Sequence, residues 1–154
     1  RSLFQPSPIG CHRRLFIFIV KQFIPHVTLS RLKTKFFERF PNLRVASVEN
    51  GSEFLGDLLR TFDHTKERIR DYFKDDPSDS FREHVWINPF WEDNVYEIEE
   101  CMGADRVIFG SDWPHIEGMP EPLDYVAELD KFDEAKKKMI LRDNTRTLNV
   151  RRAA

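Results

Sequence analysis

Asp105-Arg106-Val107-Ile108-Phe109-Gly110-Ser111-Asp112-Trp113-Pro114-His115 is the stretch from which the fold can be read. A short apolar run, Arg106 to Phe109, reads as a buried strand. Turn-forming residues then end it, and the turn carries a carboxylate, an indole and an imidazole. The same grammar occurs twice upstream. Leu43 to Val48 is a strand followed by the turn Glu49-Asn50-Gly51-Ser52, and His84 to Ile87 is a strand followed by Asn88-Pro89-Phe90-Trp91-Glu92-Asp93. Helical periods separate these runs. Ser30 caps a helix over 31–39 that Pro41 stops. Phe54, Leu58, Phe62, Ile69 and Phe73 predict a helix over 53–74 with Ser52 as its N-cap. Residues 75–80 read as a loop. Trp91, Val95, Ile98 and Met102 share one face of a helix over 92–100, closed by Gly103. Pro120 and Pro122 open a helix ending near Leu129. Asp133 to Arg142 forms another, which Asn144 to Asn149 continues or restarts. Strands alternating with helices predict an α/β fold built on a parallel sheet.

Composition narrows the function. The chain has 154 residues and a net charge of -2, so no overall basic balance points to nucleic acid. The longest apolar run, Leu15 to Val20, is too short to span a bilayer. It reads as a buried strand or as a weak signal-type segment interrupted by Lys21. Cys11 and Cys101 are the only cysteines, which excludes a disulfide scaffold and fits a reducing, cytoplasmic setting. Phe occurs 14 times, so an aromatic-rich core is expected. Residues 1–30 carry +4 and no acid, whereas the remainder carries −6. That shift sets residues 1–34 apart as a leader and 35–150 as the body. A chain that begins at Arg1 is expected to be processed or a fragment.

In parallel α/β proteins, ligands bind at the carboxyl ends of the strands. Neither standard glycine-rich phosphate motif follows a strand here. What does follow is acid, imidazole and indole. Asp112 and His115 can serve as an acid/base pair or as metal donors from one loop, and Glu49 can add a second carboxylate. Each has a plainer reading. Asp112 can bond its own turn, His115 can be a surface loop residue, Glu49 can serve a helix dipole, and Trp91 and Trp113 can pack at a rim. Histidine pairs with metal-ligand spacing are absent, and the cysteines are 90 residues apart. Lys136-Lys137-Lys138 reads as a solvated helix face.

Three blocks carry a resemblance: Arg39 to Val45 with Glu49-Asn50-Gly51, His84 to Asp93, and Asp105 to His115. Together they resemble the carboxyl-terminal half of the amidohydrolase-related family, over about Phe36 to Leu148. The block Gly110-Ser111-Asp112-Trp113-Pro114-His115 is the strongest part. The resemblance implies a partial (β/α)8 TIM barrel made of about its last three to four βα units. Strands 43–48, 84–87 and 106–109 would be the sixth, seventh and eighth.

The implied activity is metal-dependent hydrolysis or decarboxylation of a small organic substrate. The cofactor implied is a divalent metal, usually zinc in this family. Asp112 would be metal ligand and proton acceptor for a metal-bound water, because a metal brings that water's pKa to about 7. Glu49 and His115 would be further catalytic residues, and Asn88, Trp91 and Trp113 would line the substrate side. The chain departs from the family in placing Glu49 after the sixth strand, where many relatives have His. It also lacks the amino-terminal His-x-His pair and the fifth-strand His. A whole barrel takes about 250 residues. The alternative is therefore a non-catalytic half-barrel. Open sheet edges in such a half-barrel predict a homo-oligomer or other self-association.

Overall fold

The structure, a computed structural model, describes residues 35–116 and 118–150. The leader, its apolar run, Cys11, His12, His26, the Ser30 cap and the start of the 31–39 helix lie outside the described residues.

Two strands, β1 (Val45–Ser47) and β2 (Val85–Ile87), pair in parallel with Val45 opposite Val85 and Ser47 opposite Ile87. The strand expected over 106–109 contracts to a single parallel bridge, Ile87 to Val107, supported by a 2.9 Å bond from Ile108 N–H to Ile87 O. The contraction has local causes. Gly103 at φ 87° turns the chain into a tight 3-10 turn, Ala104–Arg106, which holds Arg106 out of the strand. At the other end Phe109 N–H bonds Ile140 O at 3.3 Å, away from the sheet.

The helices are α1 (Phe36–Arg39), α2 (Phe54–Arg68), α3 (Pro77–His84), α4 (Val95–Met102), α5 (Tyr125–Glu128), α6 (Glu134–Lys138) and α7 (Asn144–Asn149). A π-turn, Met139–Asp143, joins the last two into one continuous helical stretch. α2 stops at Arg68, six residues before the expected end, because Ile69 leaves helical geometry at φ −132°. Ile69 is 45% exposed, so it contributes little to the core that the periodicity assigned it to. Residues read as a loop instead start α3. The Asp76 carboxylate accepts bonds from Ser78 N–H (2.8 Å) and Asp79 N–H (3.4 Å), and Pro77 occupies the first helical position. α4 begins at Val95 rather than Glu92, because Asn94 caps it through a bond from Tyr96 N–H at 3.2 Å.

Both sheet faces are apolar, as buried parallel strands require. Val45, Val85, Ile87 and Val107 pack with Leu55, Leu58, Phe62, Phe81, Ile98, Leu129 and Ile140 on the helical side. Ala46, Trp86 and Ile108 form the opposite face with Leu148. Aromatic contacts run through this core, with Phe62 and Phe81 at 5.7 Å and Phe109 stacked on Tyr125 at 4.9 Å. Polar clasps bind the ends. Asn144, buried, donates to Ala104 O (2.7 Å) and Val107 O (2.6 Å). Arg44 donates to the closing carbonyls of α7, Leu148 O at 3.0 Å and Val150 O at 2.8 Å. His84 is also structural: it stacks on Phe37 at 4.3 Å, and its Nδ1 lies 2.7 Å from Leu43 O.

Candidate functional site

Because the pairings are parallel, the loops after β1, β2 and Val107 emerge at one end of the sheet. The first carries Glu49, the second Asn88 and Trp91, and the third Asp112, Trp113 and His115.

Asp112 follows the sheet in left-handed backbone, at φ 55°, and Glu49 does the same after β1 at φ 56°. Such conformations cost non-glycine residues energy and concentrate at functional loops. The Asp112 carboxylate lies 3.5 Å from His115 Nδ1, with the aspartate partly buried and the histidine exposed. The turn that joins them is closed by His115 N–H to Asp112 O at 2.8 Å and contains a cis Trp113–Pro114 bond. Trp113 N–H is taken by Ser111 Oγ at 3.3 Å, which leaves the Asp112 carboxylate facing the imidazole rather than capping its own turn. Gly118 backs this turn: a Cβ there would stand 2.5 Å from Asp112 O.

Asn88 does not present its amide to open space. Its Nδ2 donates to Pro89 O (3.2 Å), Ile108 O (3.4 Å) and Gly110 O (3.5 Å). A Cβ on Gly110 would meet Asn88 Oδ1 at 2.8 Å, so the carboxamide lies flat on that glycine. Asn88 thereby ties the second loop to the third. Trp91 and Trp113 are rim residues, 43% and 66% exposed. Glu49 is exposed.

The residues present do not by themselves make a metal centre. Among the described residues no three His, Cys, Asp or Glu side chains converge closely enough to hold an ion. Asp112 and His115 pair, and Glu49 does not join them. A zinc site of the usual kind takes three or four protein donors.

Asp93, at the end of the second loop, escaped the sequence reading. Its carboxylate accepts Phe90 N–H at 2.9 Å. The N-cap of α2 is Glu53 rather than Ser52, and it makes no side-chain cap bond. Burial pushes the Asp93 carboxyl above the usual range, opposed by the Phe90 N–H and the nearby Ser52 hydroxyl and reinforced by Glu53 and Glu92. Tyr125, buried beside it, is pushed upward by burial and then by Asp93, and its hydroxyl has no partner among the described residues. A local signal for Asp93 existed: an Asp three residues after Phe90 can turn back onto that residue's N–H.

Fold and site together define an α/β protein with an acid–imidazole pair at the carboxyl end of a parallel sheet. A family model described as Amidohydrolase matches residues 25–148, and the chain belongs to that family. A solved amidohydrolase from Mycobacterium avium subsp. paratuberculosis is 38% identical, with a TM-score of 0.78, over 81% of this chain and 33% of that one. A dihydroxybenzoic acid decarboxylase from Polaromonas sp. JS666, solved with manganese and the inhibitor 2-nitroresorcinol, is 23% identical at a TM-score of 0.59, over 79% of this chain and 38% of that one. A 2,6-dihydroxybenzoate decarboxylase solved with its substrate is 25% identical at a TM-score of 0.57, over 79% and 39%. These neighbours imply a TIM-barrel fold. The chain spans about a third of the length of the solved structures it matches. No helix among the described residues is long and apolar enough to cross a membrane.

Proposed function

We propose that residues 35–150 supply the last three to four βα units of a metal-dependent amidohydrolase-type hydrolase or decarboxylase. The observation that carries this is the Asp112–His115 pair, held 3.5 Å apart at the end of the third strand segment in a member of that family. Asp112 would accept a proton from the attacking water and give it back to the product, and the His115 imidazole, 3.5 Å away, would hold the carboxylate in place for both transfers. Asn88 holds the backbone that bears Asp112, and Trp91 and Trp113 offer indole faces to a flat substrate. The decarboxylase neighbours support a small aromatic carboxylate as the substrate class. The manganese in one of them supports a divalent metal as cofactor, zinc being one candidate. Further metal donors must then come from beyond the described residues.

The two-donor site favours a second reading, a non-catalytic half-barrel that self-associates through its sheet edges. One experiment separates the two. The purified chain is dialysed with zinc or manganese, its bound metal is counted, and hydroxybenzoate decarboxylation and ester or lactone hydrolysis are assayed. Stoichiometric metal with turnover that Asp112→Asn lowers at least a hundredfold supports the enzyme. A metal-free chain without turnover overturns it in favour of the half-barrel.

A further inference from the structure

The loop after the third strand segment presents an apolar face to the outside. The loop is firmly held. Met119 is buried and its N–H bonds Ser111 O at 2.9 Å, Gly118 N–H bonds His115 O at 3.0 Å, and Asp124 N–H bonds Glu121 O at 3.0 Å. Tyr125 and Leu129 then enter the core. Leu123 and Val126, three positions apart in the helical stretch 122–128, are thereby turned outward on one side, 84% and 45% exposed. Ile116, on the same loop, is 95% exposed. Large apolar side chains held out in this way mark a surface that another group covers.

The charge around this face is one-sided. From Val107 to Asp130 the chain has six Asp or Glu and no Lys or Arg. Glu121, Asp124 and Glu128 flank Leu123 and Val126, are exposed, and make no ion pair among the described residues. A fitting occupant is therefore apolar and cationic. A second copy offering the same face would set acid against acid. The chain itself holds a segment of the required kind. Residues 1–24 precede the family match, lie outside the described residues, and contain Arg1, Arg13, Arg14 and Lys21 with no acid. Leu15 to Val20 is the longest apolar run of the sequence, and a base stands at each of its ends. Lys21 and Lys35 are 14 positions apart, a reach of up to about 45 Å. A body of this size has a radius of gyration of about 13 Å, so the face is within reach.

We propose that residues 13–21 dock on the face of Leu123 and Val126, with the apolar run against those two side chains and Arg13, Arg14 and Lys21 beside Glu121, Asp124 and Glu128. The segment outside the family match is thereby joined to the loop that carries Asp112 and His115. The docking goes beyond the catalytic reading and does not depend on it.

Zero-length carbodiimide coupling, which joins a lysine amine to a carboxylate in contact with it, tests this on the full chain without metal or substrate. Equal parts of isotope-labelled and unlabelled chain separate links within a chain from links between chains, and peptide mass spectrometry locates them. The Lys136–Glu99 pair, 2.7 Å apart, is the internal standard. Lys21 is expected to join Glu121, Asp124 or Glu128 of its own chain. Leu123→Ser combined with Val126→Ser, both surface positions, is expected to lower that link about fivefold or more against the standard, because the apolar contact is lost. Arg13→Glu combined with Arg14→Glu is expected to lower it as well. Four results would each overturn the docking: no Lys21 link while the standard forms, Lys21 links chiefly to carboxylates elsewhere such as Asp63 or Glu67 on α2, links only between labelled and unlabelled chains, which makes a second copy the occupant, or a link unchanged by the Leu123 and Val126 substitutions.

Discussion

Asn144→Ala removes the group that joins the last helix to the third strand segment. The Asn144 amide is 4% exposed and donates to Ala104 O at 2.7 Å and Val107 O at 2.6 Å. Each such bond contributes about 0.5–1.5 kcal/mol net, so losing both costs about 1–3 kcal/mol. Two carbonyls left dry add to this, which brings the expected loss to about 2–4 kcal/mol. A domain of this size is stable by roughly 5–15 kcal/mol, so the change is large. Urea unfolding followed by far-UV circular dichroism reads it as a lower midpoint at unchanged slope. Asn149→Ala is the control: that amide bonds only Thr145 O at 2.9 Å on the surface, and its loss stays within about 0.5 kcal/mol. Asn144→Asp sharpens the test. An ionised carboxylate only accepts, and here it would face two acceptors, so at pH 7 the loss exceeds that of alanine. Below the ordinary carboxylate pKa of about 3.9 the acid can donate one bond and part of the loss returns. A cost for Asn144→Ala under about 1 kcal/mol at unchanged slope would refute the assignment of this bond pair as what places Val107.

Four further outcomes are expected. His84→Ala loses the stack on Phe37 and the contact to Leu43 O and lowers stability by about 2–3 kcal/mol in the same urea assay, while exposed His64→Ala does not. Gly110→Ala places a Cβ 2.8 Å from Asn88 Oδ1, so its cost falls when combined with Asn88→Ala; strict additivity in that double-mutant cycle would contradict the contact. Glu49→Gly is expected to be more stable than Glu49→Ala by up to about 1.5 kcal/mol, because both lose the glutamate side chain but only alanine keeps a left-handed backbone that costs about 1–2 kcal/mol, against about 0.5–1 kcal/mol of glycine entropy; an alanine variant the more stable of the two would contradict the left-handed turn. Asp93 has its folded pKa raised by burial, so it favours folding fully below about pH 3.9 and loses that contribution as pH rises through the folded value. The stability difference, wild type minus Asp93→Asn, therefore falls over that window, and a rising difference would show that hydrogen bonding outweighs burial.

The fold was legible where local pattern and tertiary demand agree. The alternation of apolar runs with helical periods sufficed for a parallel sheet, because both faces of each strand are covered and the runs are short and continuous. α2 was readable from Leu55, Leu58, Leu59 and Phe62, all buried in the core. Its end was not, because Ile69 and Phe73 keep the period after the chain has already turned toward Asp76. The helix over Pro77–His84 hid behind a loop-like composition, although Asp before Pro is a start signal. The third strand shrank for a reason no local window holds: Phe109 N–H goes to Ile140, 31 positions along the chain.

The same distinction separates the two tiers of the site. Asp112, His115 and Glu49 could be named because they are functional residue types placed directly after strands, and two of them are left-handed in the structure, at φ 55° and 56°. Their neighbours could not be ranked that way. Asn88 reads as a ligand-facing amide but spends its Nδ2 on Pro89, Ile108 and Gly110 carbonyls. Ser52 reads as a helix cap, but the N-cap of α2 is Glu53. For Asn88, two of the carbonyls that take the donor, Ile108 and Gly110, lie about twenty positions along the chain, beyond any local window. On the proposed function, the chemistry at the strand ends falls to side chains that the sequence announces, whereas the Asn88 contacts that hold the third loop are tertiary. If the proposed function holds, substitutions at Asp112 and His115 act on proton transfer and leave stability nearly intact, whereas Asn88→Ala, which frees the Ile108 and Gly110 carbonyls, alters loop geometry first.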